Sequence, residues 1–294
     1  MKKSLIALAL AGAFAVPAFA QTSSSDATGA PPADTAEPAG PHTLTGNMTI
    51  ASSYRFRGID QTYNKPALQG GVDYSHESGL YAGNWNSNVN SGAGFPEGNL
   101  EMDFYGGWKK SFDDFTIDVG GLYYYYPGST ATPLSGSNAR NLGASSSGTV
   151  HNGELYIAGG WKFITLKYSY AVTDYFSLPD SKGTSYLDLS GNYDLGDGWG
   201  IQAHVGHLYA SDYKYAGATN GGSDSIAYTD WKLGVTKDIS GWLIGLAYVD
   251  TNAKGNCGNT EFYCFANSWN SNGLGGKTRD AGGAVAVLSV TKTF

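Results

Sequence analysis

The chain has 294 residues, of which 15% are charged and 14% are aromatic, and its formal net charge is −7. An acidic protein without runs of Lys or Arg is a poor ligand for nucleic acid, so this composition excludes a nucleic-acid partner. The 42 glycines and 21 tyrosines, set beside so few charges, are typical of two-faced strands between polar loops.

The first twenty residues carry the pattern of a secretory signal peptide. Lys2 and Lys3 form a positive start, an apolar stretch covers 4–16, and an Ala-x-Ala site ends at Ala20. The apolar stretch is shorter than the ~20 residues of a spanning helix, which disfavours a membrane anchor. We therefore predict export with cleavage after Ala20, and loss of the two lysines takes the charge from −7 to about −9.

The composition changes twice after the signal peptide. Residues 21–43 are rich in Ala, Pro, Ser and Thr without an apolar period, which predicts a disordered linker. From residue 44 to residue 294, short runs alternate apolar and polar residues with the period of a strand that faces two environments. The predicted parts are thus a signal peptide (1–20), a linker (21–43) and an all-β domain (44–294).

The links between these runs alternate in length. Short links follow the even-numbered runs, and mostly longer links follow the odd-numbered runs. This alternation predicts a transmembrane antiparallel β-barrel of about twelve strands, with short periplasmic turns, long extracellular loops and both termini in the periplasm. The predicted runs cover about 46–57, 66–76, 79–89, 99–110, 115–126, 151–162, 163–172, 184–194, 199–209, 226–237, 241–250 and 284–294.

The aromatic residues sort by the kind of link they lie beside. Amphipathic rings prefer the membrane–water boundary, so these residues predict two girdles. The periplasmic girdle, beside the short turns, is predicted to contain Trp108, Trp161, Trp199 and Trp242. The outer girdle is predicted to contain Tyr54, Phe56, Tyr123, Tyr124, Tyr125, Tyr126, Tyr168, Tyr170, Tyr209 and Tyr248.

The final run, AVAVLSVTKTF, ends at Phe294 on an amphipathic strand. A terminal Phe in this setting predicts recognition by the outer-membrane assembly machinery. The other expected partners are outer-membrane lipid, lipopolysaccharide and small solutes or ions, and the sequence does not specify an oligomeric state.

Cys257 and Cys264 lie in one polar segment. Export to an oxidising compartment makes a disulfide between them the expected state. A redox or metal site is the alternative, and two lone thiols without a nearby His suit neither, so no metal site is expected.

Strand charges are expected to point into the lumen, because a charge on the lipid face costs roughly 2–4 kcal/mol at the midplane. Such groups either form structural pairs across the interior or line a path, and their acidic excess favours weak cation preference. A barrel of twelve strands is narrow, which favours a small pore. The predicted pore-lining residues are Arg55, Arg57, Asp73, Glu101, Asp103, Asp118, Glu154, Lys167, Asp188, Asp230 and Lys232.

A lipid hydrolase and a closed, loop-binding barrel are the two alternative classes of function. A lipid hydrolase needs a nucleophile beside a base, and alternation places Ser169, Ser190 and His204 in the lumen but His207 toward lipid. There is no Gly-x-Ser-x-Gly motif, so we predict no catalytic residues and no cofactor. A closed barrel that binds a partner through its loops is the second class, since 127–150 and 251–283 are long, and the first could fold inward as a constriction.

Several stretches resemble the TorF-type family of porin-like proteins, also catalogued as Gcw-type conserved outer-membrane proteins of Gram-negative bacteria. They are SYRFRG at 53–58, GGVDYSHESGLYAGNW at 70–85, LEMDFYGGW at 100–108, DFTIDVGGLYYYYPG at 114–128, DWKLGV at 230–235 and LAYVDTN at 246–252. The resemblance covers about 45–294 and implies an outer-membrane barrel. It implies no substrate and no catalytic residue.

The sequence therefore predicts an outer-membrane channel for passive diffusion of small hydrophilic solutes or ions. The alternative is a barrel with a closed lumen and a structural or loop-mediated binding role, and a lipid hydrolase is the least favoured. The sequence does not specify the solute.

Overall fold

A computed structural model of the chain describes residues 40–131, 148–210, 214–215, 224–259, 261–270 and 273–294. The predicted signal peptide and most of the predicted linker lie outside the described residues. Within these ranges, none of the helices combines the length and the hydrophobicity that crossing a membrane requires.

Twelve antiparallel strands close into one barrel, in which each strand pairs with its neighbours in the chain and the first pairs with the last. This confirms the predicted all-β barrel. The strands are β1 (His42–Ala51), β2 (Ala67–His76), β3 (Leu80–Asn88), β4 (Leu100–Phe112), β5 (Phe115–Tyr125), β6 (His151–Trp161), β7 (Ile164–Ala171), β8 (Ser185–Gly196), β9 (Trp199–Tyr209), β10 (Tyr228–Ile239), β11 (Trp242–Thr251) and β12 (Val285–Thr293).

Short turns join the strands at one end of the barrel, which is the end predicted above to be periplasmic, and longer loops join them at the opposite end, called the outer end here. In the turns at 197–198 and 240–241 both residues have positive φ, at Asp197 (52°), Gly198 (76°), Ser240 (54°) and Gly241 (77°). This is the conformation that two-residue type I′ hairpin turns require. The outer loops are L1 (52–66), L2 (89–99), L3 (126–150), L4 (172–184), L5 (210–227) and L6 (252–284).

The outer surface carries an apolar band with aromatic residues at both edges. Leu155 and Leu233 are more than half exposed on it, at 58% and 55%. Trp161, Trp199 and Trp242 lie exposed at the periplasmic edge. A band of this kind faces the hydrocarbon of an outer membrane.

Tyrosine rings narrow the interior by lying across the neighbouring strand. A Cβ atom on Gly83 would collide with the ring of Tyr105, and one on Gly206 would collide with the hydroxyl of Tyr186. Only glycine leaves the space that each ring occupies. The lumen of this twelve-stranded barrel is therefore lined by tyrosines as well as by charges.

An apolar core fills the outer end of the barrel and is built largely from loop residues. Phe95 of L2 stacks on Tyr126 of L3, with ring centroids 3.9 Å apart. Tyr54 and Ile59 of L1 and Leu178 of L4 are buried in the same cluster. Side chains from four outer loops are thus packed together at the mouth of the barrel.

The first predicted run, 46–57, is wrong at both ends, because β1 begins at His42 and ends at Ala51. Tyr54 and Phe56 were expected in the outer girdle, but Tyr54 is 1% exposed and Phe56 packs inside on Tyr124. The chain turns inward because Arg57 (φ 48°) and Gly58 (φ 80°) reverse it into a short hairpin, in which Arg55–Phe56 pairs with Ile59–Asp60.

The run of four tyrosines at the end of β5 was also expected in the outer girdle, and half of it points inward. Tyr124 and Tyr126 are buried, whereas Tyr123 is exposed on the outer face. Alternation on the strand explains the difference, since neighbouring side chains point to opposite faces.

L6 folds across the mouth of the barrel. Its two strands, Cys264–Asn270 and Gly273–Asp280, pair with each other, and Asn90 of L2 donates a side-chain hydrogen bond to the carbonyl of Asn267 at 2.8 Å. A disulfide joins Cys257 to Cys264, whose Cα atoms are 5.1 Å apart.

Unfolded, unreduced exported protein is expected to give no free thiol in a thiol titration. Replacing Cys257 and Cys264 by Ser is expected to leave unfolding of the barrel nearly unchanged. A bridge over so short a loop contributes about 2–3 kcal/mol at most, and it acts on L6 rather than on the strand ladder. Titratable thiols would contradict the first expectation, and loss of the barrel itself would contradict the second.

Candidate functional site: the plugged lumen

The predicted lumen charges on the strands lie on the inner face of the barrel. Each alternates with apolar side chains on the outer face, as Lys232 does with the exposed Trp231 and Leu233. Arg55 and Arg57 also point inward, but from L1 rather than from a strand. Alternation therefore placed the strand charges correctly and assigned the two arginines to the wrong element.

Carboxylates are concentrated at the outer end of the lumen. Five of the predicted lumen carboxylates lie on strands that begin after an outer loop, each among the first four residues of its strand. Asp73 and Asp118 lie farther from the outer end. The five are Glu101 and Asp103 on β4, Glu154 on β6, Asp188 on β8 and Asp230 on β10.

One buried group of side chains joins three strands through His204 of β9. Its Nε2 lies 2.7 Å from Asp230 Oδ1, and its Nδ1 contacts Asp188. The hydroxyl of Tyr186 donates to Asp230 Oδ2 at 2.8 Å. His204 therefore bridges the carboxylates of Asp188 and Asp230, which lie on the two strands that flank β9. The sequence predicted that His204 points into the lumen, but it did not predict this bridge.

A second polar group lies nearer the periplasmic end. Tyr105 donates to Asp73 at 2.5 Å, and Tyr81 donates to Asp118 at 2.6 Å. The ammonium of Lys167 lies 3.9 Å from the centre of the Tyr156 ring. Asp73 and Asp118 are therefore held by hydrogen bonds, and Lys167 is held by its contact with an aromatic ring.

L1 enters the lumen and reaches three distant strands. Tyr54 donates to Glu101 Oε1 on β4 at 3.1 Å, and Arg57 Nη2 donates to Glu154 Oε2 on β6 at 2.7 Å. Gly58 lies against Asp230 on β10, since a Cβ added there would be 2.8 Å from the Asp230 Cβ. We call this segment, residues 53–64, the L1 plug.

Contacts with L6 hold the L1 plug from outside. Arg55 Nη1 donates to the carbonyl of Ala281 at 2.9 Å, and the backbone N–H of Asp60 donates to the same carbonyl at 2.9 Å. Arg55 also pairs with Asp60 at 3.8 Å and donates to the Asn64 side chain. Arg55 thus joins two loops and contacts no strand carboxylate in these interactions.

Two carboxylates under the L1 plug lack full pairing. Asp103 is completely buried, and within the described residues neither of its carboxylate oxygens has a hydrogen-bond partner. Glu101 is equally buried, and its Oε2 is likewise unpartnered. Buried polar groups are nearly always hydrogen-bonded, so structural pairing does not explain the Asp103 carboxyl and explains Glu101 only through its Oε1 atom.

The histidine weighed as a hydrolase base has a different neighbour. His207 lies on the outer face, as alternation predicts, and its Nδ1 is 2.8 Å from the hydroxyl of Thr229. Within the described part of the chain, no cluster of three or more His, Cys, Asp or Glu side chains is arranged to hold a metal ion.

A family model described as a bacterial protein of unknown function (Gcw_chp) matches residues 35–272. The chain belongs to the Gcw_chp family. This confirms the Gcw-type resemblance recognised in the sequence, and the family description assigns no activity. No curated protein matches the sequence.

Solved outer-membrane proteins resemble this Gcw_chp chain at low identity. The NanC porin is 10% identical with a TM-score of 0.43, over 85% of this chain and 98% of its own. An outer membrane channel from Pseudomonas putida F1 is 11% identical with a TM-score of 0.41, over 90% and 100%. OmpT, an outer membrane protein of Vibrio cholerae, is 9% identical with a TM-score of 0.37, over 86% and 96%. The architecture of this chain is established by its own strand pairing.

Proposed function

We propose that this barrel is an outer-membrane channel for small hydrophilic solutes or ions, closed at its outer end by the L1 plug in the conformation described above. The observation that supports this proposal most directly is the buried and unpartnered carboxylate of Asp103, which lies on β4 near Glu101. An interior that served only as a structural brace would pair its buried polar groups, because an unpartnered one is costly. Withdrawal of the L1 plug would let water solvate both groups and remove that cost.

Export and insertion complete the proposal. Cleavage after Ala20 would release the mature chain to the periplasm, and the assembly machinery would recognise Phe294, which is 71% exposed at the end of the last strand. Lipopolysaccharide would surround the outer girdle. Passive diffusion through the lumen requires no cofactor.

Reversing Glu101 and Asp103 to Lys is expected to shift the ion preference of the channel toward anions. Both residues lie at the outer end of the lumen beneath the L1 plug, where a low-dielectric wall makes a charge effective once the lumen is open. The measurement is the reversal potential of refolded mature protein in a planar bilayer under a salt gradient.

The matched control for this reversal is the same charge change outside the lumen, at the exposed turn residues Glu77 and Asp113. Salt screens exposed charges over about 10 Å, so this pair is expected to leave the potential unchanged. An unchanged potential in the Glu101/Asp103 variant as well would remove both residues from the path.

A second candidate is a closed barrel whose loops bind a partner, and the apolar core across the mouth favours it. The two candidates differ in conductance. Discrete current steps from folded protein support the channel, whereas silence from both the wild type and a barrel with a shortened L1 would favour the closed barrel.

A further inference from the structure

The side chain of Arg57 occupies a pocket with the features of a guanidinium-binding site. Glu154 accepts its Nη2 at 2.7 Å, and the hydroxyl of Tyr175 lies 3.2 Å from Nη1. The guanidinium carbon lies 4.3 Å from the ring centre of Tyr186 and 4.9 Å from that of Phe56. A carboxylate combined with aromatic faces is the usual protein environment for this cation.

Most of this pocket belongs to parts of the molecule other than L1. We call Glu154, Tyr175 and Tyr186 the Arg57 cage, and they come from β6, L4 and β8. Asn152 donates to Glu154 Oε1 at 3.0 Å and so orients the carboxylate independently of L1. Burial raises the pKa of Tyr175 to about 12, so its hydroxyl stays neutral and Glu154 supplies the charge of the cage.

L1 places Arg57 in the cage through an unfavourable backbone conformation. Arg57 has φ 48°, a left-handed value that side chains other than glycine rarely adopt.

We infer that the Arg57 cage is the binding site for a solute that carries a guanidinium group, and that the Arg57 side chain competes with this solute for the cage. Such a solute would take the place of the Arg57 side chain on Glu154, which frees the L1 plug to leave the lumen. The binding site stands on the cage geometry alone, whereas the passage of the solute rests on the proposed channel function.

The first test replaces the Arg57 side chain with a small cation. An Arg57→Gly variant empties the cage, and glycine suits the positive φ at this position. Propylguanidinium is expected to bind this variant about tenfold or more tightly than its neutral analogue propylurea. The reason is that only the cation forms a hydrogen bond with charge on both partners when it binds Glu154. The readouts are the thermal unfolding midpoint and tryptophan fluorescence in detergent micelles.

Two variants serve as controls for this test. Arg55→Gly removes an arginine from the same loop without emptying the cage, so neither compound is expected to bind it selectively. Adding Glu154→Gln to Arg57→Gly is expected to abolish the preference for propylguanidinium. Equal binding of the two compounds to folded Arg57→Gly would overturn the inference.

The second test uses the wild-type protein in lipid vesicles and needs no emptied cage. Arginine is expected to enter faster than citrulline, which has the same shape with an uncharged ureido group, and Glu154→Gln is expected to remove the difference. Equal entry of both solutes would overturn the inference and leave the channel function standing. If neither solute enters while Arg57→Gly binds propylguanidinium selectively, the channel function fails and the binding site stands.

Discussion

Shortening L1 is expected to turn a nearly silent barrel into an open one. Ala51 and Ala67 are directly paired on β1 and β2, so a short turn can replace the L1 plug (53–64) without disturbing the ladder. Removing this segment takes Tyr54 and Ile59 out of the core of the mouth and deprives L6 of its bonds from Arg55 and Asp60. Conductance in a planar bilayer is expected to rise by roughly an order of magnitude, toward that of a narrow water-filled barrel.

The control for this deletion is Lys65→Ala, an exposed L1 residue outside the L1 plug, which is expected to leave conductance unchanged. Folding of every variant is checked by the shift in gel mobility between heated and unheated samples. A shortened barrel that is folded and still silent would contradict the expectation and favour the closed-lumen alternative.

Introducing a charge into the middle of the apolar band is expected to cause the largest loss of stability. Leu233 lies at the centre of β10 and is 55% exposed on the outer face. An arginine there would have to be buried in hydrocarbon, so Leu233→Arg is expected to lower the free energy of unfolding by about 2–4 kcal/mol. Urea unfolding in lipid vesicles measures this difference.

The same strand offers a matched control for Leu233. Ile239 lies on the same face at the periplasmic end of β10, where an arginine side chain can reach the headgroups. Ile239→Arg is therefore expected to cost only about 0–1 kcal/mol. Equal losses at the two positions would contradict the placement of the membrane along this strand.

The barrel could be predicted from the sequence because its evidence is local. Strand alternation has a period of two residues, and the cost of a charge in lipid assigns the predicted lumen charges to the inner face, as at Asp103 and Lys232. Link lengths along the chain then set the strand number and the direction of the turns. Alternation is contained within about ten residues, and link lengths are counted along the chain, so neither signal depends on contacts between distant segments.

The arrangement of the lumen could not be predicted, because its contacts join residues that are far apart in the chain. Arg57 meets Glu154 across 97 positions, and Tyr54 meets Glu101 across 47. The stretch YRFRG alternates as a strand does, so local pattern assigned it to β1. Only contacts with β4, β6 and L6 turn it into the L1 plug.

His204 shows the same division between local and distant information. Its position inside the barrel follows from alternation with Ala203 and Val205 on the outer face. Its contacts with both Asp188 and Asp230 depend on the register of three neighbouring strands, which the sequence by itself does not specify. The sequence alone thus determined the barrel and the inward direction of the predicted lumen charges on its strands, because these follow from short-range periodicity and from the cost of charge in lipid. The tertiary structure decided which charges are paired, which are left unpartnered and that L1 enters the lumen, because those outcomes depend on long-range packing.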